Sequence, residues 1–510
     1  MTRARTHLSP TAVAALAGGI LALAFPPFPF GLLAYGALAL ALWAAGFTGG
    51  EATTPIRTVA WRGWVFGFVF HFGTLYWTGW VSIPGMLAMV IILALYVAAV
   101  FAACGYLQRA FGARAVWLFP VAWTAHEYWR ELGALAFPWT NLSLSQTGYT
   151  ALIQYADITG DLGVSFVVAL LSVTLLRLIH HSVAGRTRAS ALHLAVLVLG
   201  LAVPYVYGRA ALSHLQTVAT ARIAVLQGDI DSFHKWEEGF TDQSMAVYET
   251  QTRAAAAHGA ELIVWPETAA PIYLRADEHY HRSLQLLSRE LSASLLVGTL
   301  EFRRTQPDGY LRYNAAVAIT NGSYGADFHA KLHLVPFGEW IPFSDRIKVL
   351  DKLEVGGAHF TAGDRYILFD HPKGPYAAAI CYESAFPAII RRFAQDGARF
   401  LVTITNDGWY GFSSGPAQHA AIAVYRAIET RRPIARAANT GISGFIDRGG
   451  VFREASFQYV PDVRVYDLGL GPAEEVTFFV RHGMFWGQLC AGAILATLLA
   501  AAVLSRRRKS

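Results

Sequence analysis

The sequence predicts a bundle of membrane-spanning helices joined to an α/β domain that lies outside the membrane. Three observations carry this. Only 15% of the 510 residues are charged, 54% are hydrophobic and the mean hydropathy is +0.36, whereas a soluble protein carries about one quarter charged residues. Apolar runs approaching the roughly 20 residues of a bilayer crossing recur up to residue 208 and once more near the C-terminus. Between 219 and 480 the texture changes to short β-rich runs that alternate with helical patterns.

Eight spans are expected, at 8–25, 30–47, 62–82, 85–107, 112–129, 161–181, 190–207 and 484–504. The first has the length of a signal peptide but no obvious cleavage site, and six more spans follow it, so it is expected to be retained. Basic residues sit at one set of span ends: Arg3 and Arg5, Arg57 and Arg62, Arg109 and Arg114, Arg186 and Arg188, and Arg506, Arg507, Arg508 and Lys509. The excess of Lys and Arg in cytoplasmic loops then puts both termini in the cytoplasm and the α/β segment on the opposite face. In a bacterium this describes an inner-membrane protein with a periplasmic domain. The expected units are 1–208 with seven helices, 219–480 outside the membrane, and the eighth helix at 484–504.

Cys104 and Cys490 lie in apolar runs, so the three cysteines do not suggest a disulfide framework, and no spacing suggests a zinc site. No metal, cofactor or nucleic-acid partner is expected; the net charge of +6 is modest. Tyr76, Trp77 and Trp80 read as an interfacial aromatic belt, with a substrate role as the other possibility. His126, Glu127 and Arg130 form either a structural ion pair or a functional cluster. The polar, aromatic loop 136–146 either lines a lipid entrance or braces the bundle.

In the α/β segment, "ARIAVLQGDI" reads as a strand ending in a glycine turn, and "ELIVWPET" as a buried strand stopped by Pro266. "YAAAICY" and "RFLVTITND" are further strands. Helices are expected at 241–258, 277–292 and 416–430, and in "FPAIIRRFAQDG", where Pro387 suits a first turn.

Three reactive side chains stand at or near strand ends, where a rigid sheet holds them and loops admit substrate: Glu267, Lys331 and Cys381. Singly each has an ordinary explanation, as a turn residue, a solvated cation and a packed thiol. Together they make a coherent set. A thiolate is the nucleophile, a carboxylate takes its proton, and an ammonium stabilises an oxyanion. Acyl transfer through a thioester is the reaction this set suits. Lys331 lowers the thiol pKa and burial raises it, so the net direction stays open.

"VWPET", "KLHLVPFGEW" and "ICYESAFP" together resemble the nitrilase (carbon–nitrogen hydrolase) superfamily, whose triad is Glu, Lys and Cys. The eight-span frame narrows the resemblance to the apolipoprotein N-acyltransferases of bacterial inner membranes. "LQGDI" with Lys235 and Trp236, "TNDGWYG" and "RAANTGISGFID" are similar to that family too, with Gly408 standing where an alanine is expected. The resemblance implies an αββα sandwich, with Glu267 as general base, Cys381 as acylated nucleophile and Lys331 supporting the oxyanion. It implies that Glu339 positions the set, that Tyr382 and Glu383 act beside the nucleophile, and that Trp236 handles substrate. The implied donor is a phospholipid like phosphatidylethanolamine. The implied acceptor is the α-amino group of the diacylglyceryl-cysteine of an apolipoprotein. A membrane-tethered amidase or nitrilase shares the triad but leaves the membrane frame unexplained. A transporter or scaffold would need an intramembrane charge pathway, of which the span interiors show almost none.

Overall fold

The computed structural model describes residues 8–47, 53–232, 234–237, 239–305, 309–342 and 360–507. Arg3, Arg5, Arg508 and Lys509, used above to orient the chain, lie outside these. A helix occupies each expected span, but the lengths differ from expectation. Among the described residues, four helices are long and apolar enough to cross a membrane: Ile83–Phe111, Asp161–Val183, Thr187–Ser213 and Phe485–Arg507. Pro10–Ala22 and Leu33–Ala45 are apolar but 13 residues each. Ser9 caps the first through its hydroxyl, and Gly46 in a left-handed conformation closes the second. The segment expected at 62–82 is the helix Ile56–Leu75 followed by a short turn, Tyr76–Trp80. The segment expected at 112–129 yields the helix Phe119–Arg130 of only 12 residues, because Pro120 lacks an N–H and fits only a first turn. Thr187–Ser213 presents Leu192, Val198, Leu199, Val203 and Val206 outward, an apolar surface suited to lipid.

The α/β part has four layers. One sheet of eight strands runs along the path Asp462–Leu470, Ala219–Gln227, Leu262–Val264, Ser294–Thr305, Gly309–Thr320, Ser323–Tyr324. The other, of six strands, runs Phe452–Arg453, Gly444–Ile446, Ile434–Ala438, Phe400–Thr405, Tyr376–Ile380, Leu368–Phe369. Its central three strands are parallel and buried on both faces, hence the unbroken apolar runs in their sequences. Alternation along the first sheet sets the layering. Ile223, Val225, Val264 and Leu296 join the core of the second sheet, while Ala224, Leu226, Ile263 and Leu295 pack on Met245, Tyr248, Leu284 and Leu287 of the helices Phe240–Ala257 and Glu278–Leu291. The helices Pro387–Gln395 and Gly415–Thr430 pack on the second sheet through Ile390, Phe393, Ala423 and Ala427. This is the expected αββα sandwich.

The helix Gly415–Thr430 is also the seam with the bundle. Tyr425 donates to Ser143 O over 2.6 Å, and Glu429 accepts the Asp161 N–H at 2.9 Å. Arg431, just past its end, reaches the Asp157 carboxylate at 2.6 Å. At its start the Gln418 side chain accepts from the Trp77 and Trp139 indoles and donates to Thr74 O. Trp77 is therefore a buried bolt between the two parts rather than a belt residue, whereas Trp80 is exposed. Loop 136–146 is largely buried. Glu127 accepts the Leu142 N–H, and Arg130 donates to Thr140 and Asn141. These two side chains brace the loop through their own partners.

Candidate active site

Glu267 follows the strand Leu262–Val264, where Pro266 cannot continue a ladder. A Cβ at Gly298 on the adjoining strand would come 2.1 Å from Pro266 O, so glycine there lets the turn lie close on the sheet. The carboxylate is fully engaged. Oε1 accepts from Lys331 Nζ at 3.1 Å and Asn314 Nδ2 at 2.7 Å, and Oε2 accepts the Asn406 N–H at 2.9 Å.

Lys331 follows the short strand His329–Ala330 and is 1% exposed. Its ammonium lies 2.9 Å from Glu339 Oε1, which also accepts from Asn314 at 2.9 Å. Asn314 thus bridges the two carboxylates from the neighbouring strand. Burial disfavours both charges, but mutual attraction outweighs it: Lys331 is held well above the usual lysine range and Glu267 below the usual carboxylate range.

Cys381 begins the tight turn Cys381–Ala385 after the strand Tyr376–Ile380. Its φ of +52° is rare for a residue with a Cβ and is strained. Glu383 holds that turn. Oε2 accepts the Ile380 N–H at 2.5 Å and Oε1 accepts the Leu332 N–H at 2.5 Å, which ties the cysteine turn to the residue after Lys331. The Tyr382 hydroxyl donates to Ala136 O at 2.8 Å. Cys381 interacts electrostatically with both Glu267 and Lys331. Burial, with Glu267 adding to it and Lys331 opposing, pushes its thiol up to about 12. The direction left open by the sequence is therefore upward, and the resting group is a thiol.

The structure brings Glu267, Lys331, Cys381 and Glu383 together in a buried cluster, with Glu339 partly exposed at its edge. Trp236 stands half-exposed, with the Lys235 ammonium 5.0 Å from its ring centroid. Lys235 is buried and donates to the hydroxyl and carbonyl of Thr268, the residue after Glu267. Asn314 and Asn406 were not singled out from sequence. A polar residue at 314 inside the apolar run "YNAAVAIT" was the available signal for the first. Gly408 also has a local reason, since a Cβ there would meet Ser232 Oγ at 2.1 Å. Chemically, the cluster can accept a thiol proton at a carboxylate and hold a developing oxyanion near an ammonium.

Residues 222–478 match the family model for carbon–nitrogen hydrolases, which sets the class of the catalytic part. Residues 17–174 match the model of the apolipoprotein N-acyltransferase N-terminal domain. An apolipoprotein N-acyltransferase from Geobacter metallireducens is 36% identical over 98% of this chain and 95% of that protein. One from Chlorobaculum tepidum is 29% identical over 87% of this chain and 88% of its own length. An amidase from Nesterenkonia sp. is a weaker structural likeness, with a TM-score of 0.38 and 17% identity over 50% of this chain and 93% of that one. The chain belongs to the apolipoprotein N-acyltransferase family.

Proposed function

We propose that this membrane acyltransferase of lipoprotein maturation works through a thioester on Cys381, with Glu267 as general base and Lys331 stabilising the oxyanion. The observation that carries the proposal is the gripped Glu267–Lys331 pair beside a cysteine on a strained turn. Cys381 Sγ attacks the ester carbonyl of a phosphatidylethanolamine-like phospholipid, and the thiol proton passes to Glu267. A carboxylate of low pKa does not ionise a thiol near 12 in advance, so proton transfer accompanies S–C bond formation. The tetrahedral oxyanion lies toward Lys331 and the Tyr382 N–H. Its collapse breaks the ester C–O bond, and Glu267 returns the proton to the departing lysophospholipid. The α-amino group of the diacylglyceryl-cysteine of an apolipoprotein then attacks the thioester. The N–C bond forms, the S–C bond breaks, and the amine proton returns through Glu267 to Cys381. Glu339 positions Lys331, Glu383 holds the nucleophile turn, and Trp236 stands at the substrate rim.

The placement proposed is the bacterial inner membrane, with eight spans, both termini cytoplasmic and the catalytic domain 219–480 periplasmic. The basic span ends support it: Arg109 donates to Thr54 O over 3.1 Å, which puts the end of one long helix beside the start of another. Mass spectrometry of the purified chain after incubation with phospholipid alone tests the chemistry. The expected result is an acyl adduct on Cys381, absent in Cys381→Ala. A folded chain with no adduct sinks the proposal.

A further inference from the structure

Outside the cluster just described, a second buried set touches the nucleophile from behind. His419, on the helix Gly415–Thr430, is fully buried. Its Nδ1–H donates to Asp407 Oδ1 over 2.8 Å. Asp407 also accepts from Arg436 at 2.8 Å and from Thr405 at 2.9 Å. The other ring nitrogen, Nε2, lies 3.0 Å from Ser384 Oγ and 3.2 Å from Cys381 O. Ser384 donates to that same Cys381 carbonyl over 2.8 Å. The proposed reaction uses none of Asp407, His419 or Ser384.

The peptide bond is planar and trans, so the C=O of Cys381 and the N–H of Tyr382 point in opposite directions. Holding the carbonyl oxygen on the Ser384–His419 side fixes where the Tyr382 N–H points. The strained φ at Cys381 makes such a hold necessary, since unrestrained backbone leaves this region. We infer that Asp407, His419 and Ser384 are positioning residues that lock the Cys381–Tyr382 peptide plane, so that the Tyr382 N–H faces the oxyanion of the acyl transfer. The lock rests on the acyl-enzyme reading above and assigns it a part of the chain that the triad does not include. Asp407 fixes the ring, the ring fixes the Ser384 side chain by contact at 3.0 Å, and the single Ser384 hydroxyl proton goes to the carbonyl.

The test compares two reactions of the same thiol in the full chain in phospholipid bilayers. Acylation passes through an oxyanion; alkylation by iodoacetamide does not. In His419→Ala and Ser384→Ala, the limiting rate of Cys381 acylation is expected to fall about 100-fold, the size of losing one oxyanion donor. The half-saturating phospholipid concentration and the peptide-resolved alkylation rate of Cys381 are expected to stay within about threefold. His419→Gln, whose side chain refills part of the ring's place beside Ser384, is expected to recover about tenfold. The Ser384→Ala/His419→Ala double variant should be no worse than either single, because the two act in series. Equal acylation rates in the wild type and both single variants would overturn the inference. So would parallel loss of acylation and alkylation, or additive losses in the double variant. A wild-type chain that forms no adduct overturns the thioester reading and the lock together, whereas intact wild-type acylation with an unaffected His419→Ala overturns the lock alone.

Discussion

The hydroxyl of Tyr382 donates to the main-chain carbonyl of Ala136 over 2.8 Å, which joins the residue after the nucleophile to a loop of the helical bundle. The acceptor lies in the braced loop, so the nucleophile turn is referenced to the bundle and not only to its own sheet. Tyr382→Phe leaves a buried carbonyl unpaired, at a cost of about 1–3 kcal/mol. The expected outcome is about a tenfold lower acylation rate and a lower melting temperature, with donor affinity retained. Single-turnover kinetics and thermal melting check it; an unchanged rate would show that the bundle contact is dispensable.

The thiol pushed up to about 12 gives a signed prediction. Below that value Cys381 is protonated, and its thiolate fraction grows tenfold for each unit of rising pH. Alkylation by iodoacetamide is expected to climb through about pH 7 to about pH 10 without a plateau. A plateau near neutrality would mean that Lys331, not burial, dominates the thiol.

These two cases mark what was legible in the sequence. The strand ends at Glu267 and Cys381 were readable because proline and a following helix signal fix them locally. The four layers were readable from interleaved strands and helices together with the family resemblance. The hydrogen bond between Glu267 and Lys331 was not, since it closes 64 residues of chain and no spacing rule encodes it. Trp77 looked interfacial because the sequence shows only its distance from a span end, not the Gln418 acceptor 341 residues away. The thiol's direction depends on burial, a property of the whole fold. The roles of His419 and Asp407 were not legible, because a polar residue within an apolar helix, or after a strand, carries no local sign of what it reaches.

Asn314 donates one amide to both Glu267 and Glu339. That hydrogen bond favours the charged carboxylate and helps hold Glu267 below its usual range. Removing it raises the Glu267 pKa, so Asn314→Ala is expected to move the acid limb of the acylation pH profile upward. The limiting rate is expected to fall by about tenfold through looser placement of the base. A profile unmoved on its acid limb would remove Glu267 as the titrating base or Asn314 as its partner.

Gln418 gathers the two halves of the molecule at one side chain. Its oxygen accepts the indole N–H groups of Trp77 and Trp139 at 3.1 and 3.0 Å, and its nitrogen donates to Thr74 O at 3.0 Å. Gln418→Leu keeps the apolar volume but strands two indole donors and a carbonyl in a buried site, each costing about 1–3 kcal/mol where it stays dry. His419 follows directly, so any shift of this helix start reaches the Cys381 carbonyl as well. The expected outcome is a clear drop in melting temperature together with a loss of acylation larger than that of Tyr382→Phe. Gln418→Glu keeps the two acceptor bonds and loses the donor, so it should fall between wild type and Gln418→Leu. If Gln418→Leu melts like wild type, the seam is held elsewhere, and the charged pairs of Arg426 and Arg431 are the next contacts to remove.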